Sequence, residues 1–100
     1  MRNELCILIT YEHEGSQIKE NKKEVFCKKV SCTRSEHYQA YAAGLLPRFN
    51  LEIDPKDYEN ESKIIEEELI IPQKVIYKGA RYNIIRGFDK DESTLSLTVG

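Results

Sequence analysis

The sequence predicts a mainly β protein, a small antiparallel β-barrel of about six strands with one short α-helix around residues 35–44. Two observations support this fold class. Short apolar or alternating runs recur along the chain, and turn-forming residues separate them. Only one stretch combines a helix start signal with apolar side chains at helical spacing. The chain has 100 residues, so we expect residues 1–100 to form a single domain.

Two strands are predicted before the helix. Residues 5–11 are a near-continuous apolar run with β-branched and aromatic side chains, which favours a strand over a helix. The mostly polar residues 12–21 contain Gly15 and are either a loop or the tip of a long hairpin. Residues 25–30 are the second strand. On the first strand, alternation places four side chains on one face: Leu5, Ile7, Ile9 and Tyr11.

The predicted helix has both start and stop signals. Thr33 and Glu36 match a capping box, and Ser35 is an alternative N-cap. Gly44 suits the left-handed residue that ends a helix, and Pro47 prevents its continuation. The helix is short, so it needs packing against another element to be stable. Its apolar stripe consists of Tyr38, Tyr41, Ala42 and Leu45.

The chain then forms a third strand and a segment with two interpretations. Residues 49–53 alternate and end at Asp54-Pro55, which breaks a strand. Residues 59–73 either carry a helical stripe or contain a strand that begins at Leu69. We expect this segment to be an excursion from the barrel. The helical stripe would consist of Ile64, Ile65, Leu69 and Ile70.

A tight hairpin is predicted near the C-terminus. Residues 74–77 and 80–88 flank Lys78-Gly79, which has the length of a two-residue turn. Lysine is a poor residue for a positive φ, so we expect a type I turn with Gly79 in a bulge. The remaining elements are a turn over residues 89–93 and a strand over residues 94–99 with Leu95, Leu97 and Val99 on one face.

Charge and hydropathy exclude several classes of protein. The formal net charge is -2, whereas a dedicated DNA binder normally carries a basic excess. The longest apolar runs are too short for a transmembrane helix, so we expect no membrane association. The N-terminal residues contain no apolar stretch of signal-peptide length, which predicts residence in a cytoplasm.

The three cysteines are expected to be reduced thiols without a metal. Their odd number and irregular spacing do not fit a disulfide framework, and no C-x2-C pair is present. The alternative is a zinc site with Cys27, Cys32 and His37, completed by Cys6 or His13. We expect no metal and no cofactor.

No catalytic motif is present in the sequence, and we expect no enzyme activity. His37 has no oriented partner, because its helical neighbours point to other faces. The carboxylate run Glu66-Glu67-Glu68 is expected to be a solvated face, since acid–base catalysis needs carboxylates in unlike environments.

One stretch concentrates basic side chains. We interpret it as an edge strand that blocks unwanted pairing. The alternative is a surface that faces a nucleic-acid backbone or an acidic partner. Its lysines are Lys19, Lys22, Lys23, Lys28 and Lys29.

Motifs in the middle and at the end of the chain together resemble one known family. Residues 35–40, Gly44 and Pro47 are followed by Phe49, Ile53 and Asp57-Tyr58, and residues 77–86 then give an aromatic, a glycine turn and a Tyr-x-Ile-x-Arg strand. This order and spacing resembles the head–tail adaptor (head closure, or head–tail joining) proteins of tailed bacteriophages. Three departures stand out: His37 replaces a usual aromatic, Lys78 replaces a usual Asn, and residues 59–73 are longer than is typical.

The resemblance implies a small antiparallel β-barrel with one helix and a structural role without catalytic residues. Subunits would add to the portal vertex of a phage or prophage particle and form a homo-oligomeric ring that extends the DNA channel. Portal or adaptor and tail proteins would be the partners, and double-stranded DNA would pass through without specific binding. The protein would reside in the virion, and in the host bacterial cytoplasm during assembly.

The predicted helix is the candidate protein interface. Small residues there allow close approach and tyrosines provide anchors, although the tyrosines equally fit a seal between helix and barrel. The rival function is an OB-like barrel that binds single-stranded nucleic acid or a regulatory partner, with Tyr82 or Phe88 exposed beside the lysines. The candidate interface residues are Tyr38, Gln39, Ala40, Tyr41, Ala43 and Gly44.

Overall fold

A closed barrel of six strands forms the body of the protein. The computed structural model describes residues 2–31, 47–65 and 67–100. The elements in these residues are β1 (Glu4–Glu14), β2 (Gln17–Val30), β3 (Phe49–Ile53), α1 (Pro55–Glu61), β4 (Lys63–Ile65), β5 (Glu68–Ile70), β6 (Lys74–Tyr77), β7 (Ala80–Asp91) and β8 (Thr94–Val99). The barrel order is β1-β2-β3-β8-β7-β6, every neighbouring pair is antiparallel, and β6 closes it onto β1. The predicted fold class is therefore confirmed.

The polar residues 12–21 are the tip of a long hairpin, not a loop. Glu14 pairs with Gln17 around the two-residue turn Gly15-Ser16, and Gly15 has a φ of 62°. The ladder between β1 and β2 continues without interruption to the pair Glu4 and Cys27. Both strands are consequently longer than the sequence predicted, because backbone pairing continues through side chains that are polar on both faces.

The C-terminal hairpin corrects the predicted turn geometry. Tyr77 pairs directly with Ala80, and both loop residues have positive φ, 49° at Lys78 and 80° at Gly79. This is the type I′ pattern without a bulge, and the expected type I turn was wrong. A two-residue loop needs this turn because its twist matches that of the flanking strands, and that requirement outweighs the poor fit of a lysine to the left-handed region.

The turn predicted for residues 89–93 is shorter than expected. Strand β7 continues to Asp91, so the turn itself is Glu92-Ser93. The Asp91 carboxylate accepts hydrogen bonds from the Ser93 amide and hydroxyl, both at 2.9 Å. These bonds lower the pKa of Asp91. The last strand, β8, has the predicted bounds, and so does β3.

Helix α1 was missed in the sequence. Asp54 is its N-cap and accepts a hydrogen bond from the Lys56 amide at 2.9 Å, while Pro55 occupies the first turn. Asp54-Pro55 was interpreted only as the end of a strand, although an N-cap aspartate followed by proline is also a helix start signal. Within the described residues α1 is the one helix. The helix predicted around residues 35–44 lies outside them.

Residues 59–73 leave the barrel, as predicted. After α1, strands β4 and β5 pair with each other as a separate two-stranded sheet, with Ile64 opposite Leu69. The helical alternative for this segment is wrong, because the apolar side chains belong to paired strands. Lys63 of β4 forms an ion pair with Glu12 of β1, which joins the small sheet to the long hairpin.

The barrel interior contains one continuous apolar core. On β1 the inward side chains are Cys6 and Leu8, so the face shared by Leu5, Ile7, Ile9 and Tyr11 is the outer one. Ile9 is nevertheless buried, which explains why the run reads as apolar on both faces. The core side chains are Cys6, Leu8, Val25, Cys27, Phe49, Leu51, Ile53, Val75, Tyr77, Leu95, Leu97 and Val99.

Candidate functional site

The interface predicted from the sequence lies in residues 32–46, outside the described part of the chain. Cys32 and His37 lie in the same segment. The described residues nevertheless present two surfaces that the sequence analysis did not single out. Each is formed by large apolar side chains that are exposed.

The first surface is at the end of the long hairpin, and we call it the distal patch. Ile18 near the hairpin tip is 64% exposed, and Ile64 and Leu69 on the small sheet are 74% and 63% exposed. Large exposed apolar groups that cluster usually mark a contact surface. Ile64 is directly opposite Leu69, so the two share a face of the small sheet, and Leu69 lines the same groove as Ile18. The distal patch consists of Ile18, Ile64 and Leu69.

A groove separates the two elements that form the distal patch. It has a volume of about 480 Å³, and its walls include Tyr11 and Ile18 on one side and Leu69 on the other. The Lys74 ammonium lies 5.9 Å from the centroid of the Tyr11 ring, and His13 also lines the groove. A groove that combines apolar and polar lining groups suits an inserted side chain of a partner.

The stretch of chain that contributes the small sheet to the distal patch is acidic in sequence. Residues 54–70, which contain α1 and the small sheet, include seven carboxylates and two lysines. Glu67 and Glu68 are exposed at the turn and first residue of β5. Lys63 is engaged with Glu12, so it offsets little of the local negative charge. Of these carboxylates, Glu68 lines the groove beside the distal patch.

The second surface lies at the other end of β1 and β2, and we call it the basal patch. Leu5 and Phe26 are directly opposite each other on the two strands and are 47% and 59% exposed. Side chains that are opposite in an antiparallel pair share a face. Lys28 is exposed two residues beyond Phe26 and so lies on the same face. The basal patch consists of Leu5, Phe26 and Lys28.

Strand β2 is basic, and the edge-strand interpretation holds for part of it. It contains five lysines and two glutamates. Among the residues that can be described, 17–27 pair with β1 alone, so Lys19, Lys22 and Lys23 lie along an edge. Lys28 and Lys29 instead pair with β3, so for them the edge interpretation was wrong. The lysines therefore extend from an open strand edge onto the closed barrel.

Two carboxylates connect the long hairpin to the rest of the barrel. Glu20 accepts hydrogen bonds from Arg81 at 2.8 Å and from the Tyr11 hydroxyl at 3.2 Å, and the Arg81 bond is the main reason that its pKa is lowered. Glu4 accepts from the Tyr77 hydroxyl at 2.9 Å, which lowers the Glu4 pKa. Burial of the Tyr77 phenol is the main reason that its pKa is raised, and the hydrogen bond to Glu4 raises it further.

The two described cysteines are free thiols in the core. A hydrogen bond to Cys27 and burial both raise the pKa of Cys6. Because Cys27 faces the interior, its sulfur cannot contribute to a zinc site at the surface. Over residues 2–31, 47–65 and 67–100, no group of three or more His, Cys, Asp or Glu side chains is placed to hold a metal ion.

The outer face of β3 and β8 differs from both patches because its polar side chains are buried. Thr98 donates a hydrogen bond to Asn50 Oδ1 at 2.8 Å. Lys90 donates to Glu52 Oε2 at 2.7 Å, which provides a counter-charge for a nearly buried carboxylate. The buried polar side chains of this face therefore have hydrogen-bond partners within the barrel.

The aromatic side chains named for nucleic-acid binding have different environments. Tyr82 packs edge-on against Phe49 with ring centroids 5.0 Å apart, so its ring is engaged with the core. Phe88 is partly exposed, and the Arg86 guanidinium lies 5.5 Å from its ring centroid. The barrel has six strands, whereas an OB-fold has five.

No protein-family model matches the chain, and no curated protein matches it. None of the helices in the described ranges is long and apolar enough to cross a membrane. The assignment of a function therefore rests on the barrel, the two patches and the distribution of charge.

Proposed function

We propose that the protein is a structural head–tail adaptor of a tailed phage or prophage, which adds to the portal vertex and extends the DNA channel as a ring. The observation that carries this proposal is the exposure of large apolar side chains on two separate patches of a small barrel. Such surface is costly in water and is normally covered in an assembly. A subunit between two neighbours, with a portal below and a tail above, needs several contact surfaces of this kind.

The charge distribution supports passage of DNA without tight binding. The formal net charge of -2 leaves no overall attraction for phosphate, although β2 is locally basic. We propose that double-stranded DNA passes through the ring without specific contacts. The partners are portal or adaptor and tail proteins, and the protein resides in the virion after assembly in the host cytoplasm.

We also propose that the protein is not an enzyme. Both described thiols are enclosed in the core, so neither can attack a dissolved substrate. The groove beside the distal patch is open to solvent, and its polar lining residues His13, Glu68, Gln73 and Lys74 alternate with the apolar side chains of Ile18, Leu69 and Ile70. This lining favours recognition over catalysis.

The helix predicted around residues 35–44 is proposed as a further docking surface. Its candidate contact residues, from Tyr38 to Gly44, remain a prediction from the sequence. An Ala43→Arg variant adds bulk and charge there while keeping good helix propensity. It should lower the yield of tailed particles without changing the thermal melt of the isolated protein.

Deletion of the gene from a phage or prophage that encodes it tests the proposal. Electron microscopy of lysates should show DNA-filled heads and free tails that are not joined, and the supplied wild-type protein should restore tailed particles. Normal tailed particles in the deletion lysate would contradict the proposal.

One observation favours the rival function, a small barrel that binds single-stranded nucleic acid. Phe88 and Arg86 form a partly exposed cation–π pair on the outside of the barrel. Fluorescence anisotropy with single- and double-stranded oligonucleotides separates the two functions. The adaptor should bind both weakly and without sequence preference at physiological salt, whereas submicromolar, salt-sensitive binding would favour the rival.

A further inference from the structure

Strand β7 is paired along only part of one of its two edges. On the side of β6 the ladder ends at Asn83, and the next bond on that side joins the Ile84 amide to the Gln73 carbonyl at 2.9 Å. From there β7 continues to Asp91 with β8 on its other side. Beyond Ile84, no strand in the described part of the chain pairs with the β6 side of β7.

The backbone groups of Gly87 and Asp89 point towards this open edge. In an antiparallel ladder, residue pairs that exchange backbone hydrogen bonds alternate with pairs whose amides and carbonyls point away from each other. Asn83 and Gly100 exchange two such bonds, both at 3.0 Å. Counting back along β8 from Gly100 places Gly87 and Asp89 in pairs of the second kind. Their amides and carbonyls are therefore available to an added strand.

A groove runs beside the open edge, and α1 forms its opposite wall. It contains two cavities of about 450 and 510 Å³. Tyr58 of α1 and Gly87 line the first cavity, whereas Glu59 of α1 and Asp89 line the second. The two cavities therefore follow each other along the edge of β7. We call them together the β7 groove, and its position leaves room for an extended chain beside the strand.

The two ends of the β7 groove carry opposite charge. Lys74 and Arg86 line the first cavity, which has no carboxylate among its described lining residues. The second cavity is lined by four carboxylates and by no lysine or arginine of the described ranges. Because these side chains border the same space, an occupant needs an acidic group at the first cavity and a basic group at the second. The four carboxylates are Glu59, Asp89, Asp91 and Glu92.

We propose that the β7 groove binds an extended segment of a partner protein as an added antiparallel strand. Every neighbouring pair in the barrel is antiparallel, and this pairing is the more stable one. β7 runs from the basic cavity to the acidic one, so the segment carries its lysine or arginine towards its N-terminus and its aspartate or glutamate towards its C-terminus. The inference goes beyond the proposed function, because an open edge can accept a strand whether or not the protein forms a ring.

A labelled synthetic peptide of about six residues, Lys-Val-Thr-Val-Thr-Glu with both ends blocked, is the probe. Fluorescence anisotropy should show saturable binding to the wild-type protein. The reversed sequence has the same composition but places each charge beside groups of the same sign in the antiparallel orientation. It should therefore bind about threefold more weakly or worse.

Two N-methylated versions of the peptide test the backbone bonds. Each carries methyl groups on one alternate set of amides, so the methyl groups face β7 in one version and solvent in the other. The first should bind about tenfold more weakly or worse, and the second should keep its affinity. In the protein, amide hydrogen exchange at Gly87 and Asp89 should be fast without the peptide and should slow down when it binds.

Glu59→Lys and Glu24→Lys are a matched pair of variants. Both make the same change at an exposed position, but Glu59 lines the acidic cavity whereas Glu24 lies on β2, outside the β7 groove. Glu59→Lys should weaken binding of the peptide about two- to fivefold, and Glu24→Lys should leave it unchanged. Thermal melts of both variants check that the fold persists.

Four results would overturn the proposal. The first is no saturable binding of the peptide up to its solubility limit. The second is equal binding of the two N-methylated versions, which would indicate capture of side chains alone. The third is equal affinity of the forward and reversed sequences together with equal effects of Glu59→Lys and Glu24→Lys. The fourth is slow exchange at Gly87 and Asp89 in the free protein, which would show that another part of this chain or a second copy already covers the edge.

Discussion

The outer face of β3 and β8 buries polar side chains, whereas the small sheet β4–β5 exposes apolar ones. On the barrel face, Asn50 and Thr98 are buried and hydrogen-bonded to each other. On the small sheet, Ile64 and Leu69 are opposite each other and exposed. Pairing with neighbouring strands covers the edges of a strand but not the face of a sheet, and a two-stranded sheet cannot cover its own faces. Packing against a face, more than the polarity of its residues, decides which side chains water reaches.

The sharpest contrast concerns neighbouring residues on β2, where Cys27 is enclosed and Phe26 is exposed. In a Cys32→Ser variant, neither remaining thiol should react with a water-soluble reagent while the protein is folded. The rate should be roughly a thousandfold below that in denaturant, because reaction requires opening of the barrel. Thiol titration in both conditions measures the ratio. A native rate close to the denatured one would show that the core is open at this end.

The same substitution in the two regions should have very different effects. Leu97→Ala removes a fully buried core side chain and should cost about 2–5 kcal/mol of unfolding free energy. Leu69→Ala on the small sheet should change it by less than about 0.5 kcal/mol. Urea unfolding of both variants is the measurement. Equal losses would mean that the small sheet is packed in solution and that the distal patch is not exposed.

The buried polar pair should matter less than the core but more than any exposed ion pair. Thr98→Val keeps the shape of the side chain and removes the donor to Asn50 Oδ1. The loss should be about 1–3 kcal/mol, because the amide oxygen loses a buried partner. A Ser93→Ala variant in the exposed turn is the control, with a smaller loss. An unchanged midpoint for Thr98→Val would indicate that water replaces the hydroxyl.

The smallest effect should be present at neutral pH and disappear in acid. Arg81 lowers the pKa of Glu20, so this carboxylate contributes stability above its ordinary pKa and loses it as the pH falls through the lowered value. Arg81→Gln should therefore reduce stability slightly at neutral pH, and the difference from wild type should disappear well below pH 4. Melting temperatures between pH 2 and 7 test this. A difference that persists in strong acid would point to packing of the Arg81 side chain.

The barrel could be predicted because each strand carries its own local signal. Residues 49–53 and 94–99 have apolar periodicity and clear breakers, and their bounds agree with the structure. Helix α1 was missed because Asp54-Pro55 ends a strand and begins a helix with the same two residues. The turn at Lys78 was wrong because strand twist, which is a property of the sheet, overrode the preference of one residue.

The patches could not be found from sequence periodicity. Ile64 and Leu69 lie in short apolar runs that resemble those of the core strands. Their exposure depends on whether another part of the protein covers the small sheet, which the sequence does not indicate. The opposite charge of residues 17–30 and 54–70 was visible in the sequence as counts of lysine and glutamate. Which of these charged side chains share a face with an exposed apolar group depends on strand pairing, and that requires the fold.

The closure of the barrel by β1 and β6 has a consequence for how fast the protein folds. These strands come from distant parts of the sequence, and β3 likewise pairs with the C-terminal strand β8. Local hairpins such as β1–β2 can form within microseconds, but closure must wait for an encounter across a long flexible chain. Topologies of this kind fold in milliseconds to seconds. During that interval an unpaired strand of one nascent molecule meets those of others, which makes rapid dilution or a low rate of synthesis favourable for recovering the native protein.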